Sequence, residues 1–231
     1  MNTIIIFNFK GGVTKTTTTI LATNFLDVYH GKKVALIDAD DDQWSSYSVY
    51  EEEKKKLVSQ YSEKQIDELL KNKKIADIDV YKMYTSEVLE FRKKLIEKNN
   101  YDFLFIDLGQ RNIEDTFDIF KEADHIIVPY SKDSEEIKKS VVFTNVIKRN
   151  FPEKNIKRLV VKIEKNKIDD FMEIRKNLKK RYNNDFYESV ILKRDRYPQK
   201  RSLIWPLNLA EEKRDFGKGV ISFINEFLKQ F

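Results

Sequence analysis

The chain has no cysteine among its 231 residues. That excludes disulfides, thiolate metal sites and cysteine nucleophiles, and it fits a cytoplasmic protein. Histidine is nearly as scarce. Only His30 and His125 occur, at unrelated places, so neither a zinc centre nor a histidine-based triad is indicated. No apolar run approaches the roughly 20 residues that span a bilayer. A signal-peptide pattern, a Gly/Ser/Pro-rich linker and an internal repeat are also missing. The length is enough to bury one substantial core, and we read residues 1–231 as one domain. Glycine is rare, with six in all, so two adjacent glycines near the N-terminus stand out.

Charge is plentiful but unevenly placed. The net charge is +5, yet residues 1–109 carry 16 basic and 18 acidic side chains. Residues 148–201 carry 18 basic and 8 acidic ones. Such asymmetry points to a polyanionic partner, most simply nucleic acid. The plainer alternative is a set of solvated, lysine-rich helix faces.

The paired glycines fall in Lys10-Gly11-Gly12-Val13-Thr14-Lys15-Thr16-Thr17, after the apolar run Ile4–Phe7 and at the start of a helical pattern. Glycines let successive backbone N–H groups turn inward on phosphate oxygens, and the following helix N-terminus adds donors and partial positive charge. Lys15 is then placed for β- and γ-phosphates and the Thr16 hydroxyl for Mg²⁺. The general pattern G-x-x-x-x-G-K-[ST] is broken twice, by Phe9 and by Thr14. A Gly-Gly turn between a strand and a helix, with merely solvated lysines, is the alternative.

Other signals fall in a strand–helix alternation that predicts a parallel sheet with ligands beyond its carboxyl ends. Residues 15–30 read as a helix with Ile20, Leu21, Phe25 and Val28 inward, ended by Gly31. The strand Val34–Ile37 runs into Asp38-Ala39-Asp40-Asp41-Asp42-Gln43. Residues 44–100 read as mostly helical cover, with Trp44 and Tyr47 as packing residues. Tyr101–Ile106 is an apolar strand ending in Asp107, a place for a Mg²⁺-holding carboxylate, with Gly109 as a hinge after it. His125–Pro129 and Leu159–Ile163 are further strands, giving at least five. Residues 134–149 read as a helix with Ile137, Val141, Val142 and Ile147 inward. A helix lined by Phe171, Ile174, Leu178 and Tyr182 presents Arg175, Lys176, Lys179, Lys180 and Arg181 outward. After a short strand at 189–192 comes the basic loop Lys193–Arg201. The closing stripe Val220, Ile221, Ile224, Phe227, Leu228 and Phe231 fits a core helix better than a membrane-surface helix, because its polar side has few bases.

Lys10-Gly11-Gly12-x-x-Lys15-Thr16 resembles the deviant Walker A loop of the ParA/MinD family of ATPases, in which the first lysine is the signature lysine. The resemblance extends to Asp38-Ala39-Asp40 as switch I, Asp107 as Walker B and the Val128-Pro129 strand end. It implies a P-loop NTPase-like three-layer sandwich with a mostly parallel sheet flanked by helices. It also implies ATP and Mg²⁺ as cofactors. Lys10, Lys15 and Asp40 would then be catalytic, Asp40 placing the attacking water, with Thr16, Asp38 and Asp107 at the metal. Nucleotide would be held by residues 10–17, that is Lys10, Gly11, Gly12, Val13, Thr14, Lys15, Thr16 and Thr17, together with Pro129. Residues 164–166 fall where relatives hold the base.

Within the family the likeness is to small ParA/ParF-type partition proteins. That implies a slow, partner-stimulated ATPase that dimerises on ATP and binds DNA nonspecifically to segregate plasmid or chromosomal DNA. Its partner would be a ParB-like centromere-binding protein, its location the nucleoid. DNA phosphates would meet Arg175, Lys179, Lys193, Arg194, Arg196, Lys200 and Arg201. Three rival readings are a MinD-like membrane ATPase, a small-substrate ligase of similar fold, and a scaffold that binds ATP without hydrolysing it. The last is raised by Thr14 and by Asp41-Asp42, which replace a proline in switch I.

Overall fold

Apolar runs such as Ile4–Phe7 and Val34–Ile37 have no polar face to give to water, so they belong inside a sheet covered on both sides. The computed structural model describes residues 1–10, 12, 14–109, 114–131, 133–164, 168–182, 185–193, 202–206 and 219–231. Its strands are β1 (Asn2–Ile6), β2 (Val34–Ala39), β3 (Ile78–Lys82), β4 (Phe103–Leu108), β5 (His125–Tyr130), β6 (Asn155–Ile163) and β7 (Phe186–Leu192). They form one sheet in the order β3-β2-β4-β1-β5-β6-β7, parallel at every junction. The helices are α1 (Lys15–His30), α2 (Ser45–Gln60), α3 (Glu63–Lys71), α4 (Val88–Lys98), α5 (Phe117–Glu122), α6 (Ser134–Asn150), α7 (Ile168–Tyr182) and α8 (Val220–Leu228). This is the P-loop NTPase-like three-layer sandwich.

Strand alternation sorts the core into two layers. Ile4, Ile6, Leu36, Phe103 and Phe105 face α1 and α8, meeting Ile20, Phe25, Phe223 and Phe227. Ile5, Phe7, Ile37, Leu104 and Ile106 face the other way, onto Leu95 of α4, Phe120 of α5, and Phe143 and Ile147 of α6. Of the closing stripe, Val220, Ile224 and Phe227 are buried, with Phe223 beside them, while Ile221 and Leu228 are half-buried. Phe231 packs edge-on against Phe103 and Phe227. Glu226 fixes α8 to β7 by accepting hydrogen bonds from the Glu188 and Ser189 amides at 2.7 and 2.8 Å.

Two expectations change. The stretch 44–100 contains β3, an edge strand in which only Ile78 is fully buried, so its pattern carries little periodicity. In α6 the inward residues are Glu136, Ser140, Phe143, Thr144 and Ile147. Val142 is 55% exposed, because Phe143 and Ile147, four apart, set the buried face and turn it outward.

Candidate functional site

In parallel register Asp38 of β2 lies beside Asp107 of β4, and β1 ends next to them. Carboxylates and loop therefore share one sheet edge. Phe9 occupies the place of the expected first glycine because its ring packs edge-on against Phe7 and Phe143, centroids 5.8 and 5.3 Å apart. The loop is tied down by Asn8, whose amide donates to the Pro129 carbonyl at 2.8 Å and whose side-chain oxygen accepts the Lys10 N–H at 3.1 Å. Gly12 has φ 75°. Thr14, at φ 63°, holds the left-handed conformation that a glycine adopts without strain and a β-branched residue does not. Helix α1 starts directly after it, with no side-chain cap on the helix and no acid in its first turn. Its positive end is thus left to an anion. Gly11 and Val13 lie outside the described residues.

Asp107 is buried among hydroxyls. Thr16 Oγ1 donates to one carboxylate oxygen at 3.4 Å and Ser46 Oγ to the other at 2.6 Å. Burial pushes its pKa up to about 7 against those hydrogen bonds. Asp38 is equally buried and is also raised by desolvation, although the Asp40 and Tyr47 amides donate to it at 3.1 and 2.8 Å. Lys15 is 9% exposed; burial lowers its pKa, while Asp107 and Asp40 oppose that. Thr17 is buried in the same turn.

Among the described residues no three His, Cys, Asp or Glu side chains form a metal cage. One hydroxyl with one or two carboxylates suits Mg²⁺, which keeps waters and takes its remaining oxygens from phosphates. A buried carboxylate made reluctant to ionise would gain most from such a cation.

Asp40 presses on Gly109: a Cβ there would come within 2.3 Å of its carboxylate oxygen. Asp41, the extra acid of the segment, is a structural tie. It accepts the Thr85 amide at 3.1 Å and faces the Thr85 hydroxyl. Trp44 lies under the Lys82 ammonium, 4.5 Å from the ring centre.

Lys10 is turned away from this cluster. Its ammonium meets Asp133 at 3.1 Å, Glu135 at 3.6 Å and Glu136 at 3.9 Å, at the start of α6. The Asp133 hydrogen bond chiefly raises its pKa. Asp133 also caps α6 by accepting the Glu135 and Glu136 amides.

One basic residue requires correction. Arg175 is 5% exposed, its guanidinium committed to the Tyr187 and Glu188 carbonyls and the Glu188 carboxylate. Charge pairing from β7 draws it inward, so it is not a surface contact for DNA. Lys179 pairs with the same Glu188. Lys193 is exposed at the end of β7, as are Lys176 and Lys180 on α7. Arg194, Arg196, Lys200 and Arg201 lie outside the described residues, as do Lys165 and Asn166.

Sequence reading missed Asn8, Ser46 and Asp133. Asn8 and Ser46 gave no signal of their own. Asp133 opens the run Asp-Ser-Glu-Glu, which follows a buried strand and reads as a helix start.

No curated protein matches the chain in sequence. Among solved structures it resembles MinD in the MinC:MinD cell division complex of Aquifex aeolicus, with a TM-score of 0.72 at 15% identity over 99% of this chain and 96% of that one. A plasmid partition protein of Borrelia burgdorferi bound to AMPPNP gives 0.68 at 22% identity over 100% and 99%. The ParA of pNOB8 bound to nonspecific DNA gives 0.62 at 20% over 99% and 97%. At these identities the likeness establishes the fold. The AAA-domain family profile (AAA_31) matches residues 1–157. The profile spans well over half of the chain, which thus belongs to that family, as a ParA/MinD-type P-loop ATPase.

Proposed function

We propose that the chain is one ATPase domain acting as an ATP-dependent dimerising switch of the ParA type. It binds DNA without reading its sequence, and a centromere-binding partner protein stimulates hydrolysis and release. In this reading Lys15 and the first turn of α1 bind the β- and γ-phosphates. Thr16 and Asp107 hold Mg²⁺, with Asp38 behind them, and the ion supplies charge neutralisation on the phosphates. Asp40 orients the attacking water, its position fixed by contact with Gly109. Ser46 and Asn8 are positioning residues, the first holding Asp107 and the second the loop backbone.

The observation that carries the proposal is the separation of the two lysines. Lys15 is buried beside Asp107, whereas Lys10 lies at the rim on the acidic start of α6. A lysine held outside its own site is available to the phosphates of a second subunit, and a dimeric switch requires that. DNA binding rests on the basic excess of residues 148–201, with Lys193, Lys176 and Lys180 exposed. In this reading the protein works on the nucleoid, in the cytoplasm. The burial of the α8 stripe against the sheet argues against a membrane-surface role for that helix.

Sedimentation and nucleotide titration test the proposal together. Lys15→Ala loses ATP binding. Lys10→Ala retains most of it yet stays monomeric with ATP, where the unmodified protein dimerises. Wild-type dimerisation of the Lys10 variant would remove the basis of the assignment.

A further inference from the structure

The end of β6 is irregular in three respects, and all converge on Lys162. Between its pairings with Val190 and Leu192 of β7, β6 passes from Val160 to Ile163, so three steps face two. That is the signature of a bulge, a device that re-aims a side chain. Lys162 itself has φ 59°, a left-handed conformation in which a long side chain is strained. Its ammonium then crosses to the phosphate loop and donates to the carbonyl of Gly12, 150 residues away in sequence. Among the described residues no carboxylate pairs with it. A backbone held in a costly conformation to bring an unmatched cation against a phosphate loop is the pattern of a functional position, because such strain persists only where the surroundings impose it.

From this geometry we infer that Lys162 is a nucleotide-binding residue, supplying an ammonium to the phosphate chain from within the same subunit. The inference rests on the proposed ATP binding and deepens it. A carbonyl is a weak partner for an ammonium, and a phosphate oxygen brings charge assistance as well. When the triphosphate enters, the Lys162 ammonium moves from the Gly12 carbonyl to an adjacent phosphate oxygen. Lys15 then serves the phosphates from inside the loop and Lys162 from the neighbouring strand. The bulge keeps Lys162 at the loop in the nucleotide-free chain, so little rearrangement is needed.

Titration of ATP and ADP with Mg²⁺ into full-length wild-type, Lys162→Met, Lys162→Gln and Lys162→Arg protein tests this. A charge contact predicts that Met and Gln each weaken both nucleotides by about tenfold or more, while Arg restores most of the affinity. It also predicts a shallower salt dependence of affinity in the Met and Gln variants. Gln can still donate to the Gly12 carbonyl, so recovery of wild-type affinity by Gln would reduce Lys162 to a tether of the loop. Unchanged or tighter binding by Met would make it a latch or a bystander. Either result overturns the inference while the ATPase reading stands. A wild-type protein that binds no ATP removes that reading first. Lys162→Gly, whose backbone accepts the positive φ, replaces the Met variant if thermal melting shows Met to be misfolded.

Discussion

Gly109 shows how a single residue can couple the two carboxylate strands. With no Cβ it lets the Asp40 carboxylate rest on the β4 end, beside the buried Asp107. Adding a methyl group would place it 2.3 Å from one Asp40 oxygen and 2.7 Å from its carboxyl carbon. The carboxylate is the movable partner, so Gly109→Ala displaces Asp40 and leaves the fold intact. Turnover is expected to fall by about 10- to 100-fold, the effect of misplacing a positioning group by roughly 1 Å, with ATP affinity retained. Steady-state phosphate release and nucleotide titration separate the two parameters; unchanged turnover would mean that Asp40 does not act from this position. Thr14 is one of the two departures from the general phosphate-loop pattern, with Phe9. In the structure it adopts the left-handed conformation open to glycine, and α1 starts directly after it, so the departure brings local strain and an added side chain.

At the scale of elements, legibility in the sequence followed burial. β1, β2, β4 and β5 are covered on both faces, and they read as apolar runs ending at Phe7, Ile37, Ile106 and Pro129. The edge strand β3 offers only Ile78 to the core and was hidden in a polar stretch. Helix α7 shows a different limit. Periodicity places Arg175 among the outward bases, but the partner that draws it inward, Glu188, is on β7 and invisible to a helical pattern. Arg175→Ala should therefore lower the melting temperature, by about 1–3 kcal/mol of stability, without acting selectively on DNA. Lys193→Glu should weaken DNA binding at unchanged melting temperature. The opposite pattern would return Arg175 to the DNA surface. The grouping of Lys15, Thr16, Asp38 and Asp107 at one sheet edge was legible, because their residue types define a chemistry. Contacts made between distant elements, by Asn8, Ser46 and Lys162, were illegible.

Helix α8 adds a pH dependence. His125 is buried beneath it, its ring against Phe227 and Phe231 and its Nε2 hydrogen-bonded to the Tyr187 hydroxyl. Burial, with the Lys157 charge as a smaller cause, lowers its pKa to about 3, while Asn155 opposes the shift. The unfolded chain takes up this proton near pH 6.5 and the folded chain does not. Stability from this group is thus full above about pH 6.5 and declines as the pH falls towards 3. Urea unfolding at pH 7 and pH 5 should show about 2 kcal/mol lost to His125, a loss that His125→Phe removes. An equal pH slope in that variant would assign the acid sensitivity to other groups.

At the scale of the whole molecule, the nucleotide edge and the basic C-terminal half are parts of one proposed switch. The N-terminal residues 1–109 are near neutrality, whereas residues 148–201 carry the excess positive charge. Phosphate contacts made by such a surface release condensed counterions, so affinity should fall steeply with salt whatever the DNA sequence. The charge alone cannot make the binding conditional. In the proposed switch, conditionality would come from ATP pairing two subunits through Lys10, which would double the basic charge presented to one duplex.

The most direct test is binding to unrelated DNA sequences across a salt series, with ATP, with ADP and without nucleotide. The switch predicts sequence-independent, salt-sensitive binding that is strong with ATP alone and is lost when Lys193, Arg194 and Arg196 are reversed in charge. Equal binding in all three nucleotide states would contradict it.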